Sequence, residues 1–126
     1  MRLLLDTQIM LWMLTDDPRL SASARELMRT PARNVHFSVA SLWEIGIKHS
    51  LGRMVISPAV VSDAMRDSGY QRLQISDEHL NRLVELPHYH RDPFDRMLVA
   101  QADSEPLKLV TSDQSLSAYG PAVLTV

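Results

Sequence analysis

The chain has 126 residues, a net charge of −2, a pI near 6.2, 45% hydrophobic residues and a mean hydropathy of −0.10. That length suits one domain, taken as residues 1–126, with enough chain to bury a core unaided by cross-links. Cysteine is absent, which excludes disulfides and thiolate metal sites, and the bulk charge announces no nucleic-acid partner, so any such binding must use local patches.

In chain order, Arg2–Leu5 reads as a short buried strand ending at Asp6-Thr7. Asp6 breaks the apolar opening MRLLLDTQIMLWML, no small-residue cleavage site follows, and no run reaches the roughly 18–20 apolar residues that span a bilayer. A soluble, cytoplasmic protein with no membrane partner is the expectation. Gln8–Leu14 reads as a short helix closed by Asp16-Asp17-Pro18, and Ser21 caps a helix to about Met28, stopped by Thr30-Pro31. Val35–Ser38 is rich in strand formers. Ser38 then caps a helix over Val39–Leu51, with Gly52 suited to the left-handed position beyond it. Ser57-Pro58 pairs a cap with proline at the first helical position, and that helix ends near Gly69. Arg72–Ile75 is a weak third strand, and Ser76 caps a helix to about Leu86. Pro87–Arg91 is a loop, and a helix follows to about Asp103. Leu107–Thr111 is a fourth strand, Asp113–Ala118 a short helical turn and Ala122–Val126 a fifth strand.

Strands alternating with helices predict an α/β fold, a three-layer αβα sandwich around a mainly parallel sheet of about five strands. In such sheets ligands bind beyond the carboxyl ends of the strands, where the strand order reverses. Asp6 follows the first strand and Asp113 the fourth. Two further acids stand in the segment HRDPFDRMLVAQA. Asp92 is a good N-cap, Pro93 a good first helical residue, and Asp95 falls at the third helical position, as in a capping box with Asp in place of Glu. Both charges lie at the positive end of the helix dipole, so a cap worth roughly 1 kcal/mol accounts for Asp92 without any chemistry. In the helix Val39–Leu51, residues Ala40, Glu44, Ile47 and Leu51 share one face, and Glu44 interrupts an otherwise apolar stripe. A buried carboxylate needs a partner. Either Glu44 pairs with Lys48 at i+4, or it faces the end of the sheet toward Asp6. The histidines lack zinc-ligand spacing; His88 and His90 read as polar surface residues of a loop. Trp12 and Trp43 sit at apolar helical positions that fit either core or an interface.

Taken together, these segments resemble the PIN domain, and within it the VapC-type toxin ribonucleases. The resemblance begins at Leu4-Leu5-Asp6-Thr7, passes through Asp16-Asp17-Pro18-Arg19-Leu20 and is strong at Ser41-Leu42-Trp43-Glu44-Ile45 with Ile47-Lys48. It returns at His90-Arg91-Asp92-Pro93-Phe94-Asp95-Arg96-Met97-Leu98 with Ala100-Gln101-Ala102, and closes at Leu109-Val110-Thr111-Ser112-Asp113 and Tyr119-Gly120. It implies a metal-dependent endoribonuclease, the toxin of a type II toxin–antitoxin pair, whose acidic site falls on Asp6, Glu44, Asp95 and Asp113. The family pattern of aspartate with leucine three on and alanine five on selects Asp95, followed by Leu98 and Ala100, over Asp92. Many relatives carry histidine two residues after the first aspartate; Gln8 stands there instead, at a position that is not a usual metal ligand. The resemblance further implies an RNA substrate, a cognate antitoxin whose tail enters the acidic groove, and a homodimer.

Clustered carboxylates repel one another, and a divalent cation removes that conflict. Oxygen-only ligands favour hard cations, Mg²⁺ first with Mn²⁺ as the alternative. The expected chemistry is in-line attack of an activated water on a metal-bound phosphodiester. Asp6, Glu44 and Asp95 would hold the ion, and Asp113 a second ion or the water. Lys48 would steady the carboxylates or meet phosphate, Asp92 would support from behind, and Arg96 and Arg91 would contact the RNA backbone. A receiver domain would want paired acids after the first strand, and a haloacid-dehalogenase-type phosphatase a second aspartate at residue 8; neither is present. A catalytically silent PIN-like module that only binds RNA or a protein remains the alternative, and it would not need four converging acids.

Overall fold

The structure, a computed structural model, describes residues 1–126. Its strands are β1 (Leu3–Leu5), β2 (Val35–Ser38), β3 (Gln71–Leu73), β4 (Lys108–Thr111) and β5 (Val123–Thr125). Its helices are α1 (Thr7–Thr15), α2 (Ala22–Leu27), α3 (Val39–Ser50), α4 (Pro58–Asp67), α5 (Asp77–Glu85) and α6 (Pro93–Ser104), with 3₁₀ turns at Ala32–Asn34 and Gln114–Tyr119. The sheet order is β3-β2-β1-β4-β5 and every pairing is parallel. β1 therefore lies in the middle, and the connections diverge from it to either side. That reversal point is where an open α/β sheet leaves a crevice beyond its strand ends.

Alternation along β1 divides the core. Leu3 and Leu5 point to one face, with Val35, Phe37 and Val110, and meet Ile9 and Met10 of α1, Leu42 and Ile45 of α3, and Val61 and Met65 of α4. Leu4 and Leu109 point to the other face and meet the buried run Met97–Ala100 and Ala102 of α6. Both faces are covered by helices, which is why these strands read as continuous apolar runs. Side-chain caps start the helices: Ser21, Ser38, Ser57, Ser76 and Asp92 do so where the sequence places them, Asp6, read from the sequence only as the end of a strand, also caps α1, and each accepts a hydrogen bond from a backbone N–H of the first turn. Because Asp6 ends β1 and caps α1, and Ser38 ends β2 and caps α3, both helices begin at the carboxyl rim of the sheet.

Two expectations are corrected. The third strand is Gln71–Leu73, earlier than Arg72–Ile75; as an edge strand paired only to β2 it leaves Gln71 and Arg72 exposed and carries little apolar signal. The face Ala40–Glu44–Ile47–Leu51 is not a buried stripe. Burial in α3 is confined to Ala40, Ser41, Leu42 and Ile45, while Ile47 and Leu51 are exposed, because the end of the helix reaches past its packing neighbours. The two tryptophans separate: Trp12 packs against the core under the Arg19 guanidinium, 5.3 Å from its ring, whereas Trp43 is 61% exposed and meets Phe94 edge-on at 5.2 Å. No helix is long and apolar enough to cross a membrane.

Candidate active site

Asp6 stands at the carboxyl end of the central strand. Its backbone N–H donates to Val110 O at 3.0 Å, continuing the β1–β4 pairing. One carboxylate oxygen accepts from the Ile9 N–H at 2.8 Å as the α1 cap, and the other accepts from Thr111 Oγ1 at 2.5 Å. Thr111 Oγ1 in turn accepts from the Asp113 N–H at 3.0 Å, so one hydroxyl links the ends of β1 and β4 to the loop carrying Asp113. Asp6 is 6% exposed, and burial lifts its pKa to about 6, with Glu44 and Asp113 adding smaller repulsions.

Glu44 reaches the same rim from α3, and that helix is tied to α1 by Thr7 Oγ1 donating to Ser41 Oγ at 2.9 Å. Both readings of Glu44 hold at once. Oε2 accepts from Lys48 Nζ at 2.7 Å, while Oε1 is buried with no hydrogen-bond partner, in the recess it shares with Asp6. Asp95 arrives from the first turn of α6. Asp92 Oδ1 accepts from the Phe94 and Asp95 N–H groups at 2.8 and 3.0 Å, so the cap sets the direction of the turn that carries Asp95. Burial first, and then the neighbouring Asp92 charge, push Asp95 up to about 7. Asp113 behaves oppositely. Its Oδ1 accepts from Ser115 N–H and Oγ at 2.9 and 2.6 Å, and these bonds, with a smaller contribution from His90, hold it below the usual carboxylate range.

Asp6, Glu44, Asp95 and Asp113 thus line one recess at the switch point, together with Lys48 and Asp92. Arg96 is not among them. Its guanidinium donates to Leu86 O at 3.1 Å and to Leu83 O at 3.4 Å, so the side chain turns back onto the end of α5 and is not presented to a nucleic acid. Arg91 is exposed. His88 is exposed as expected, but His90 is not a surface residue: its side chain is 18% exposed, and Nε2 stands 3.1 Å from Asp113 Oδ2 and 3.7 Å from Asp95 Oδ2. Nothing in its loop spacing marks it; its adjacency to the Asp92–Asp95 segment is the one signal available.

The donor set fits a hard divalent cation. It offers four carboxylates and no thiolate, one buried carboxylate oxygen lacks any partner, and two carboxyls are pushed up, by burial first and by neighbouring carboxylates second. Ligand atoms of His90, Asp95 and Asp113 lie within 4.8 Å of one another, close enough to share an ion.

A family model described as "PIN domain" matches residues 3–120. Among solved structures, the chain is similar to a toxin-antitoxin complex from Klebsiella pneumoniae, with 21% identity, a TM-score of 0.68, and coverage of 97% of this chain and 95% of that one. It is similar to VapBC2 from Rickettsia felis bound to a DNA fragment from its promoter, with 17% identity, a TM-score of 0.73, and coverage of 100% and 98%. DNA-bound VapBC from Salmonella typhimurium gives 18% identity, a TM-score of 0.71, and coverage of 100% and 97%. At these identities the likeness is one of fold. No curated protein is a significant sequence match.

Proposed function

The chain belongs to the PIN domain family, and from that premise we propose that residues 1–126 act as one domain, a Mg²⁺- or Mn²⁺-dependent endoribonuclease serving as the toxin of a type II toxin–antitoxin pair. The observation that carries this reading is the recess itself: four acids from four separate elements converge where burial and mutual repulsion leave two of them short of compensating charge. A stable fold gains nothing from that arrangement, whereas a divalent cation would neutralise it.

Asp6, Glu44 and Asp95 would hold the cation, with Asp113 completing the site at its more open side. A cation there would supply Lewis-acid polarisation of the scissile phosphate and of the attacking water. The protein's own part is orientation. The Ile9 N–H and Thr111 hydroxyl fix the Asp6 carboxylate, the Asp92 cap fixes the turn bearing Asp95, and Lys48 holds Glu44 while keeping a positive charge at the edge of the recess for a substrate phosphate. A cognate antitoxin, a homodimer and a cytoplasmic site of action follow from the same family reading, and the toxin–antitoxin complexes among the similar folds support the first of these.

Purified protein incubated with labelled RNA should cleave in Mg²⁺ or Mn²⁺ and stop in EDTA. Asp95→Asn should lower the rate by more than about 100-fold, beyond what loss of an outer-shell partner costs, while the circular dichroism spectrum is retained. Cleavage indifferent to both EDTA and Asp95→Asn would refute the metal site; a folded wild type that binds RNA without cutting it would favour a silent binding module.

A further inference from the structure

His90 stands beside Asp113 and Asp95 without an assigned role, and the surrounding chain holds its imidazole firmly. Its backbone N–H donates to Tyr119 Oη at 3.1 Å, and that hydroxyl donates to Pro87 O at 2.8 Å, which pins the loop before α6 against the 3₁₀ turn after β4. On the ring, Nδ1 lies 3.2 Å from the Asp92 N–H. A backbone N–H can only donate, so Nδ1 presents its lone pair and the ring hydrogen sits on Nε2. That N–H faces Asp113 Oδ2 at 3.1 Å, with Asp95 Oδ2 at 3.7 Å.

We propose that His90 is a positioning residue of the acidic site: an Nε2–H donor that locks Asp113 toward Asp95, and not itself a ligand of the cation. The tautomer carries the argument. An imidazole that ligates through Nε2 must place its hydrogen on Nδ1, where it would confront the Asp92 N–H. The same backbone group that begins α6 therefore sets the ring as a donor. Asp113 lies in a loop, its side chain is 42% exposed, and without His90 only Ser115 and its own turn restrain its carboxylate. With Oδ1 held by Ser115 and Oδ2 by His90, both oxygens keep a fixed direction; the two Ser115 bonds occupy Oδ1, and Oδ2 keeps a lone pair for a cation. Outer-shell donors of this kind orient ligating carboxylates and tune affinity without touching the metal.

The inference rests on the reading of the recess as a cation site, and its test separates the two. Mn²⁺ is titrated into EDTA-treated, dialysed full-length protein at pH 8 by calorimetry, and bound Mn²⁺ is followed by pulsed electron paramagnetic resonance. The wild type should bind Mn²⁺, Asp95→Asn should lose it, and no histidine nitrogen coupling should appear. His90→Ala should weaken binding about 10- to 100-fold while the metal-free melting temperature stays close to that of the wild type. His90→Gln, whose amide N–H reaches the region of Nε2, should recover most of the loss, an effect that a merely structural role would not produce. Tyr119→Phe, which leaves the imidazole in place and removes one of its anchors, should cause a smaller loss; it keeps the test open should His90→Ala fail to fold. Wild-type affinity in His90→Ala, or unaltered affinity in Tyr119→Phe with His90→Ala unfolded, would overturn the role of His90 alone. A nitrogen coupling lost in His90→Ala would overturn it by making the ring a ligand. A wild type that binds no Mn²⁺ would remove both the site and the inference.

Discussion

Asp6→Asn should make the metal-free protein more stable at pH 8, although it removes a residue at the centre of the proposed site. Burial raises the Asp6 pKa from the usual 3.8 to about 6. Between those values the folded chain binds a proton that the unfolded chain has released, so stability falls as pH rises through this window and stays low above it. At about 1.4 kcal/mol per pH unit, the ionised carboxylate costs the metal-free fold about 3 kcal/mol at pH 8. Asparagine keeps the Oδ1 that accepts from the Ile9 N–H at 2.8 Å, so the α1 cap survives. It replaces the oxygen that accepts from Thr111 by an amide donor, and the lost bond costs about 1 kcal/mol. The net expectation is a gain of about 2 kcal/mol at pH 8. Near pH 4 the native Asp6 is protonated, the electrostatic relief disappears, and only the Thr111 deficit is left. The assay is urea unfolding of EDTA-treated protein, followed by circular dichroism at pH 4, 6 and 8. A variant less stable than wild type at pH 8, or a difference that does not change with pH, would refute the claim that Asp6 carries uncompensated charge. Added Mg²⁺ should reverse the ranking, because binding stabilises only the chain that holds the ion.

The neighbouring residues divide cap from ligand in the same way. Asp92→Ala leaves the Phe94 and Asp95 N–H groups without their acceptor and should cost about 1–2 kcal/mol in urea unfolding, with cation-dependent cleavage still measurable. Arg96→Ala should cost about 1.5–3 kcal/mol, mainly from the 3.1 Å bond to Leu86 O. It should leave RNA affinity, read by fluorescence anisotropy in EDTA, unchanged; a selective loss of RNA binding at full stability would return Arg96 to the surface role expected from the sequence.

The contrast between Asp95 and Arg96 shows which parts of this site a sequence can disclose. Elements were legible where chemistry is local: Ser38, Ser57-Pro58, Ser76 and Asp92-Pro93 each start a helix because the cap and the N–H groups it serves lie within three residues. The rim was legible because a parallel sheet delivers every strand's carboxyl end to one side, so Asp6 and Asp113 had to share an edge once the first and fourth strands were read; that β4 pairs directly with β1, which makes them neighbours, was not. Periodicity told less about α3. It specifies a face but not how far along the axis other elements extend to cover it, which is how Ile47 and Leu51 came to lie outside the core. It was silent on Arg96, since a charge on a helix has the same spacing whether it meets solvent or, as here, the last carbonyls of α5. His90 marks the far limit. Its partner Asp113 lies 23 residues away, in a different loop and across a helix and a strand. No repeat or spacing connects two loop residues whose meeting depends on where α6 and β4 each end. What brings them together is a hydroxyl and a main-chain amide, Tyr119 and Asp92, whose roles exist only in the folded chain. The acids could be read as a set because the parallel sheet sends Asp6 and Asp113 to one rim and the family resemblance picks out Glu44 and Asp95; the donor that orients Asp113 could not, because it follows from the contacts between two loops.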